Sequence, residues 1–218
     1  MFVKICGTTN EQDALLAVAL GADAIGFIFA PSTRQVSPQV AADIAKRLPP
    51  EVLTVGIFRD AGQERVVEIM GKTGLKAAQL SGAETAEQTK WIRRRVPMVI
   101  KGFAAGHSTL SGAADYGADA ILVEGPEPGS GQLFDWQLAE GVPNGVRVLL
   151  AGGLNADNVA RAIAQVRPWG VDVATGVESS PGHKDPRKLR AFIAAAKAAA
   201  SPSFQGDEHG PYDWQDDA

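Results

Sequence analysis

The chain has 218 residues, 45% of them hydrophobic and 21% charged, a balance that suits one large globular domain with a sizeable core. Its formal charge of -4 gathers at the end, where Asp207, Glu208, Asp213, Asp216 and Asp217 stand without a Lys or Arg; the other 20 of its 25 acids nearly cancel 21 bases, which argues against a broad nucleic-acid or anionic-membrane surface. A single cysteine excludes an internal disulfide and cannot by itself make a zinc site, while MFVKICG has no leader pattern and no run reaches the roughly 18 apolar residues of a membrane span, so a cytoplasmic protein is expected.

Short runs rich in Val, Ile, Leu and Phe recur along the chain and predict strands over residues 2–6, 24–30, 53–59, 76–81, 97–103, 120–125, 146–152 and 170–175. Segments rich in Ala, Glu, Gln, Lys and Arg follow them with apolar positions three and four apart, the spacing of amphipathic helices. NEQDALLAVALGA begins with Asn10 as a cap, PQVAADIAKRL follows Ser37 as a cap, and NADNVARAIAQV begins with Asn155 as a cap. The strands are continuous apolar runs, as strands buried on both faces are. Eight strand-helix units in about 200 residues predict a single-domain (β/α)8 TIM barrel over residues 1–200. No G-x-G-x-x-G follows the first strand, where CGTTNE stands instead, so a nicotinamide or flavin cofactor is not expected by that route. Residues 201–218 are acidic and without periodicity, and are expected to form a mobile tail unless Tyr212 or Trp214 docks.

In such a barrel the chemistry sits where strands end and loops begin. The mouth so read holds Cys6, Arg34 in the loop APSTRQVSP, Glu124, Gly152-Gly153 and Thr175-Gly176. A free cysteine is commonly a buried packing residue. Cys6, however, stands where the backbone leaves its strand into Gly-Thr-Thr-Asn, and binding and catalytic groups concentrate at such places. Arg34 overhangs the mouth and suits a bidentate grip on a carboxylate, its plainer reading being a solvated loop residue. The glycine turns after strands seven and eight suit a phosphate, with tight turning as the alternative. Asp172, between Val171 and Val173 within the eighth strand, either orients a mouth group, binds a substrate hydroxyl, or belongs to a structural polar layer. His107, His183 and His209 show no triad or metal spacing and read as surface residues.

The segments KICGTTNEQDALLAVALGADAIGFIFAPSTRQVSP, VGIF, GSGQLFDW, LLAGGLNADNV and GVDVATGVESSPGHKDPRKLRAF, in this order over residues 3–196, resemble the phosphoribosylanthranilate isomerase family of tryptophan biosynthesis. The resemblance implies a (β/α)8 barrel that converts N-(5-phosphoribosyl)anthranilate to 1-(o-carboxyphenylamino)-1-deoxyribulose 5-phosphate by an Amadori rearrangement. It implies a small phosphoribosyl molecule as partner, with no nucleic acid, membrane, cofactor or metal. By the same resemblance Cys6 is the general base, Arg34 holds the anthranilate carboxylate, Gly152, Gly153 and Gly176, with Thr175, form the phosphate site, and Asp172 matches the family's aspartate in strand eight. The family's general acid is an aspartate ending strand six; Glu124 stands there, one methylene longer, which moves the carboxyl by about 1.5 Å, a scale that matters to rate. Ser81 in QLSGAE stands where the family usually has a histidine, and Thr8 where it usually has a leucine. A thiol whose ordinary pKa is near 8.5 needs a positive local field to be a ready base at neutral pH. The residues alone leave open another phosphosugar aldose-ketose isomerase or epimerase, and an idle paralogue that binds phosphorylated ligands.

Overall fold

The computed structural model describes residues 1–125, 135–139, 142–143 and 145–199. Strands β1 Phe2–Ile5, β2 Ala24–Ile28, β3 Leu53–Phe58, β4 Ala77–Leu80, β5 Val99–Ala104, β6 Ala120–Glu124, β7 Val148–Leu150 and β8 Gly170–Val173 pair in chain order, all parallel. β8 pairs with β1 through Lys4↔Asp172 and Ile5↔Val173, which closes the barrel. The ranges expected from sequence overlap all eight strands and run one or two residues past most of them, because the residues at those ends have already turned into loops. The tail at 201–218, with His209, and residues 129–134 of GSGQLFDW lie outside the described residues.

Strand residues two apart share a face, and this alternation divides the apolar residues into two cores. Val3, Ile5, Ile25 and Phe27 face outward and pack under the helices. Phe2, Cys6, Val55, Ile57, Ile100 and Leu122 face inward and fill the barrel. Full burial of such side chains contributes about 1.5–3 kcal/mol each. At the amino-terminal end of the strands Phe2 stacks on Trp169 with ring centroids 4.2 Å apart, closing the floor. The opposite end is left for the site.

The helices are α1 Glu11–Ala19, α2 Pro38–Ala45, α3 Gln63–Thr73, α4 Ala86–Arg93, α5 Val159–Val166 and α6 Pro186–Ala198. Asn10 and Ser37 cap as expected, their side chains accepting from the backbone N–H of Asp13 at 2.9 Å and Val40 at 3.2 Å. Asn155 does not cap α5 itself. It accepts from the N–H of Asp157 and Asn158, ordering a turn over 155–158, and the helix starts only at Val159. After β5 the chain forms a 3-10 segment, Ser108–Tyr116, in place of an α-helix; its Ser, Thr and Gly112 are poor helix propagators. A short hairpin absent from the sequence reading, β9 Glu178–Ser180 with β10 His183–Lys184, follows β8.

A repeated pentapeptide, Gly-Ala-Asp-Ala-Ile at 21–25 and 117–121, precedes β2 and β6. In each copy the aspartate reaches back to the preceding strand. Asp23 accepts from the N–H of Val3 at 2.7 Å and Asp119 from that of Val99 at 2.7 Å. The repeat therefore pins the starts of β1 and β5, at the end of the barrel away from the mouth, and leaves the other end to vary.

Candidate active site

Cys6 follows the last residue of β1, and its N–H still donates to the Val173 carbonyl at 2.8 Å, so the sheet holds it in register with β8. Gly7 then turns the chain with φ +68°, a value that favours glycine, and a Cβ there would stand 2.6 Å from Cδ of Arg34. Absence of that side chain lets Arg34 lie over the turn that carries the cysteine. The thiol residue is 7% exposed and lines a cavity of about 240 Å³ at the carboxyl ends of the strands.

All eight positions singled out from sequence line this one cavity: Cys6, Arg34, Glu124 and Asp172 with Gly152, Gly153, Thr175 and Gly176. Glu124 ends β6 and Cys6 follows β1, so a carboxyl and a thiol border the same space from separate strands. At the far rim Gly152 and Gly153 have φ +89° and +65°, and a Cβ on Gly176 would run into the Leu154 carbonyl. The turns after β7 and β8 are thus packed backbone to backbone beside the cavity. The Asn158 side chain braces the first of them, donating to the Gly153 carbonyl at 2.9 Å and accepting from the Asn155 N–H at 2.8 Å. His107 lines a neighbouring cavity instead, which shares Arg59, Ser81 and Glu124 with the first, and His183 is an exposed hairpin residue.

Two ion-pair systems surround the thiol. Within the barrel, Lys4 Nζ donates to Asp172 Oδ1 at 2.8 Å, and the lysine is fully buried. Behind the turn, Arg34 makes a two-pronged contact with Glu178, Nε to Oε1 at 2.8 Å and a terminal nitrogen to Oε2 at 2.7 Å, and also reaches Thr175 Oγ1 at 3.3 Å. Lys184 Nζ donates to Glu178 Oε1 at 3.1 Å and to the Cys6 carbonyl at 2.6 Å. Burial pushes the Glu178 carboxyl up, but Arg34 and Lys184 outweigh it and hold the group below its ordinary range. Burial also pushes the Cys6 thiol up. Lys4 and Lys184 pull it down and Asp172 pushes it further up, with a net rise. The positive field expected from the sequence is present, and burial exceeds it.

On the opposite side, Lys101 Nζ donates to the carbonyls of Leu80, Gly82 and Gly102 and to Glu84 Oε2 at 3.0 Å. Glu84 in turn accepts from the N–H of Asp60 and Gly82, which ties the turns after β3 and β4 together. Ser81 takes a bond from Gln79 Nε2 at 3.0 Å, and both line the cavity.

Comparison with known proteins fits this geometry. The family described as N-(5'phosphoribosyl)anthranilate (PRA) isomerase matches residues 3–195. The chain belongs to this family. It is 47% identical over 204 residues to N-(5'-phosphoribosyl)anthranilate isomerase of Desulforudis audaxviator, covering 90% of this chain and 98% of the relative. A crystal structure of phosphoribosyl anthranilate isomerase from Thermus thermophilus superposes with a TM-score of 0.85 at 43% identity, covering 91% and 99% of the two chains. Another isomerase structure, in complex with reduced 1-(o-carboxyphenylamino)-1-deoxyribulose 5-phosphate, superposes with a TM-score of 0.80 at 39% identity, covering 91% and 99%. Family and fold expectations are borne out.

Read from strand ends alone, the chain places Glu178 at the mouth, after Thr175, Gly176 and Val177, without a role, and the residues missed are the other supporting charges: Lys4, Lys184, Lys101 and Glu84. Lys4 carried a usable signal, since it stands two residues before Cys6 on the same inward face of β1. Lys184 carried none, and the place of Glu178 after the eighth strand did not reveal its partners, because both meet Arg34 and Cys6 only through the hairpin. The side-chain amide oxygen of Gln79 is buried without a protein partner among the described residues, although nothing in its sequence context distinguishes it.

Proposed function

We propose that the chain isomerises N-(5-phosphoribosyl)anthranilate to 1-(o-carboxyphenylamino)-1-deoxyribulose 5-phosphate, with Glu124 as general acid and Cys6 as general base. The observation that carries this reading is the convergence of Cys6, Glu124, Arg34 and the two glycine turns on one cavity in a chain of this family. Glu124 protonates the ribose ring oxygen, the C1–O bond breaks, and the nitrogen lone pair forms the protonated Schiff base. The Cys6 sulfur, as thiolate, removes the proton from C2, and that electron pair becomes the C1–C2 double bond as nitrogen recovers its own. C1 then takes a proton, the C2 hydroxyl loses one, and the ketone forms. No electrons leave or enter, and each proton transfer is within the ordinary reach of side-chain acid-base catalysis.

Arg34 retains N–H groups beyond those bound to Glu178, and these grip the anthranilate carboxylate; the turns at Gly152, Gly153, Thr175 and Gly176 take the phosphate, and Asp172 a sugar hydroxyl. The catalytic unit is residues 1–200, working in the cytoplasm. No helix among the described residues is long and apolar enough to cross a membrane. The test is turnover measured by loss of substrate fluorescence in wild type and Cys6→Ala. Loss of the base lowers kcat by about a hundredfold or more, with binding of the reduced product nearly unchanged. A Cys6→Ala enzyme with normal kcat returns the thiol to a packing role.

A further inference from the structure

Lys4 has no part in the reaction written above, yet the fold goes to some length to accommodate it. A fully buried ammonium is a costly thing to place inside a barrel, and other inward positions, Val55 and Ile100 among them, are filled by apolar side chains. Lys4 lies one inward position below Cys6 on β1, and Asp172 fixes its Nζ at 2.8 Å. Gly26 on β2 makes the room: a Cβ there would stand 3.2 Å from Lys4 Nζ and 3.3 Å from Cα of Cys6. The ammonium and the root of the cysteine side chain therefore border the same small space over Gly26, and the charges of the two groups act on each other.

We propose that Lys4 is a positioning residue of the isomerisation: anchored by Asp172, its ammonium is the counter-ion beside which the Cys6 sulfur holds the negative charge it needs to take a proton from substrate. The S–H bond breaks with its proton passing to water, the thiolate stays beside Lys4, and the S–H bond re-forms with the proton from sugar C2. Lys4 remains protonated throughout. The charged groups around the thiol are Lys4 from β1, Asp172 from β8, Lys184 and Glu178 from the hairpin, and Arg34 from the loop after β2. Lys4 acts on the thiol more strongly than Asp172, and in the opposite sense.

This inference rests on Cys6 being the base, but its first measurement does not. Cys6 is the sole cysteine, so the pH dependence of iodoacetamide alkylation reads that thiol alone. Asp172→Asn is compared with the double variant Asp172→Asn/Lys4→Met, which removes Lys4 without leaving a buried aspartate unpaired. The alkylation midpoint falls in Asp172→Asn relative to wild type, and rises by at least about one pH unit, tenfold in acidity, when Lys4→Met is added. Equal midpoints in the single and double variants overturn the proposal. Should that double variant fail to fold, Asp172→Asn/Lys4→Gln is measured in its place, and a midpoint equal to that of Asp172→Asn overturns the proposal. The acid limb of the kcat profile is then followed in the same proteins and moves up with the alkylation midpoint. A midpoint that moves while that limb stays fixed overturns the part of Lys4 in the reaction, because Cys6 is then not the base.

Discussion

Glu178 joins the loop after β2, the hairpin and, through Lys184, the backbone of Cys6, so Glu178→Gln is the most informative single change behind the site. The amide keeps the shape and one acceptor oxygen but removes the charge. Arg34 then loses its two-pronged contact, and Lys184, only 5% exposed, loses its counter-ion while still donating to the Cys6 carbonyl. Breaking a buried pair by removing one partner costs about 3–5 kcal/mol. The retained acceptor puts this variant at the lower end, about 3 kcal/mol, which for a chain of this size lowers Tm by roughly 6–12 °C. Acid should erase the difference. The folded carboxyl lies below its ordinary range, so its stabilisation is complete above the unfolded value, about 4.3, and is lost as pH falls through the folded one. Melting curves at pH 7 should separate the two proteins, and the gap should narrow below about pH 4. With Arg34 freed, KM should rise about tenfold, equivalent to about 1.4 kcal/mol, with a smaller change in kcat. Equal Tm at pH 7, or a gap that widens in acid, would refute this account of the hub.

Three further outcomes are expected. Glu124→Gln should lose at least about a hundredfold in kcat because the amide cannot deliver a proton, while Glu124→Asp keeps measurable turnover; an active Gln variant would exclude Glu124 as the acid. Asp119→Ala should leave kcat unchanged but lower stability by about 1–3 kcal/mol in thermal melts, since the Val99 N–H and the Arg93 guanidinium both lose their acceptor; a loss of activity without loss of stability would contradict the division between the two barrel ends. Removing residues 201–218 should leave both kcat and Tm unchanged, and a large drop in Tm would show that Tyr212 or Trp214 docks.

What the sequence makes legible follows from where each residue stands in the fold. A parallel barrel buries both faces of its strands, so each strand writes itself as an apolar run, and the residues that break the run at its carboxyl end are those left at the mouth. Cys6, Glu124 and the glycines of the last two turns could be found that way. Arg34 could be placed in its loop, but its hold on Glu178 could not, because the partners are 144 residues apart and meet through a hairpin whose strands are three and two residues long. Asp172 could be singled out as a polar residue of the interior, but its pairing is illegible for a different reason. Lys4 lies within an apolar run and its partner Asp172 lies 168 residues away in another, so each alone reads as an exception to strand composition. Only closure of the barrel, setting β8 beside β1, makes the two exceptions into one pair beside the thiol. Strand ends thus carry the groups proposed for the chemistry, while closure of the barrel supplies the charges beside them, and those charges become visible only when the strands are in register.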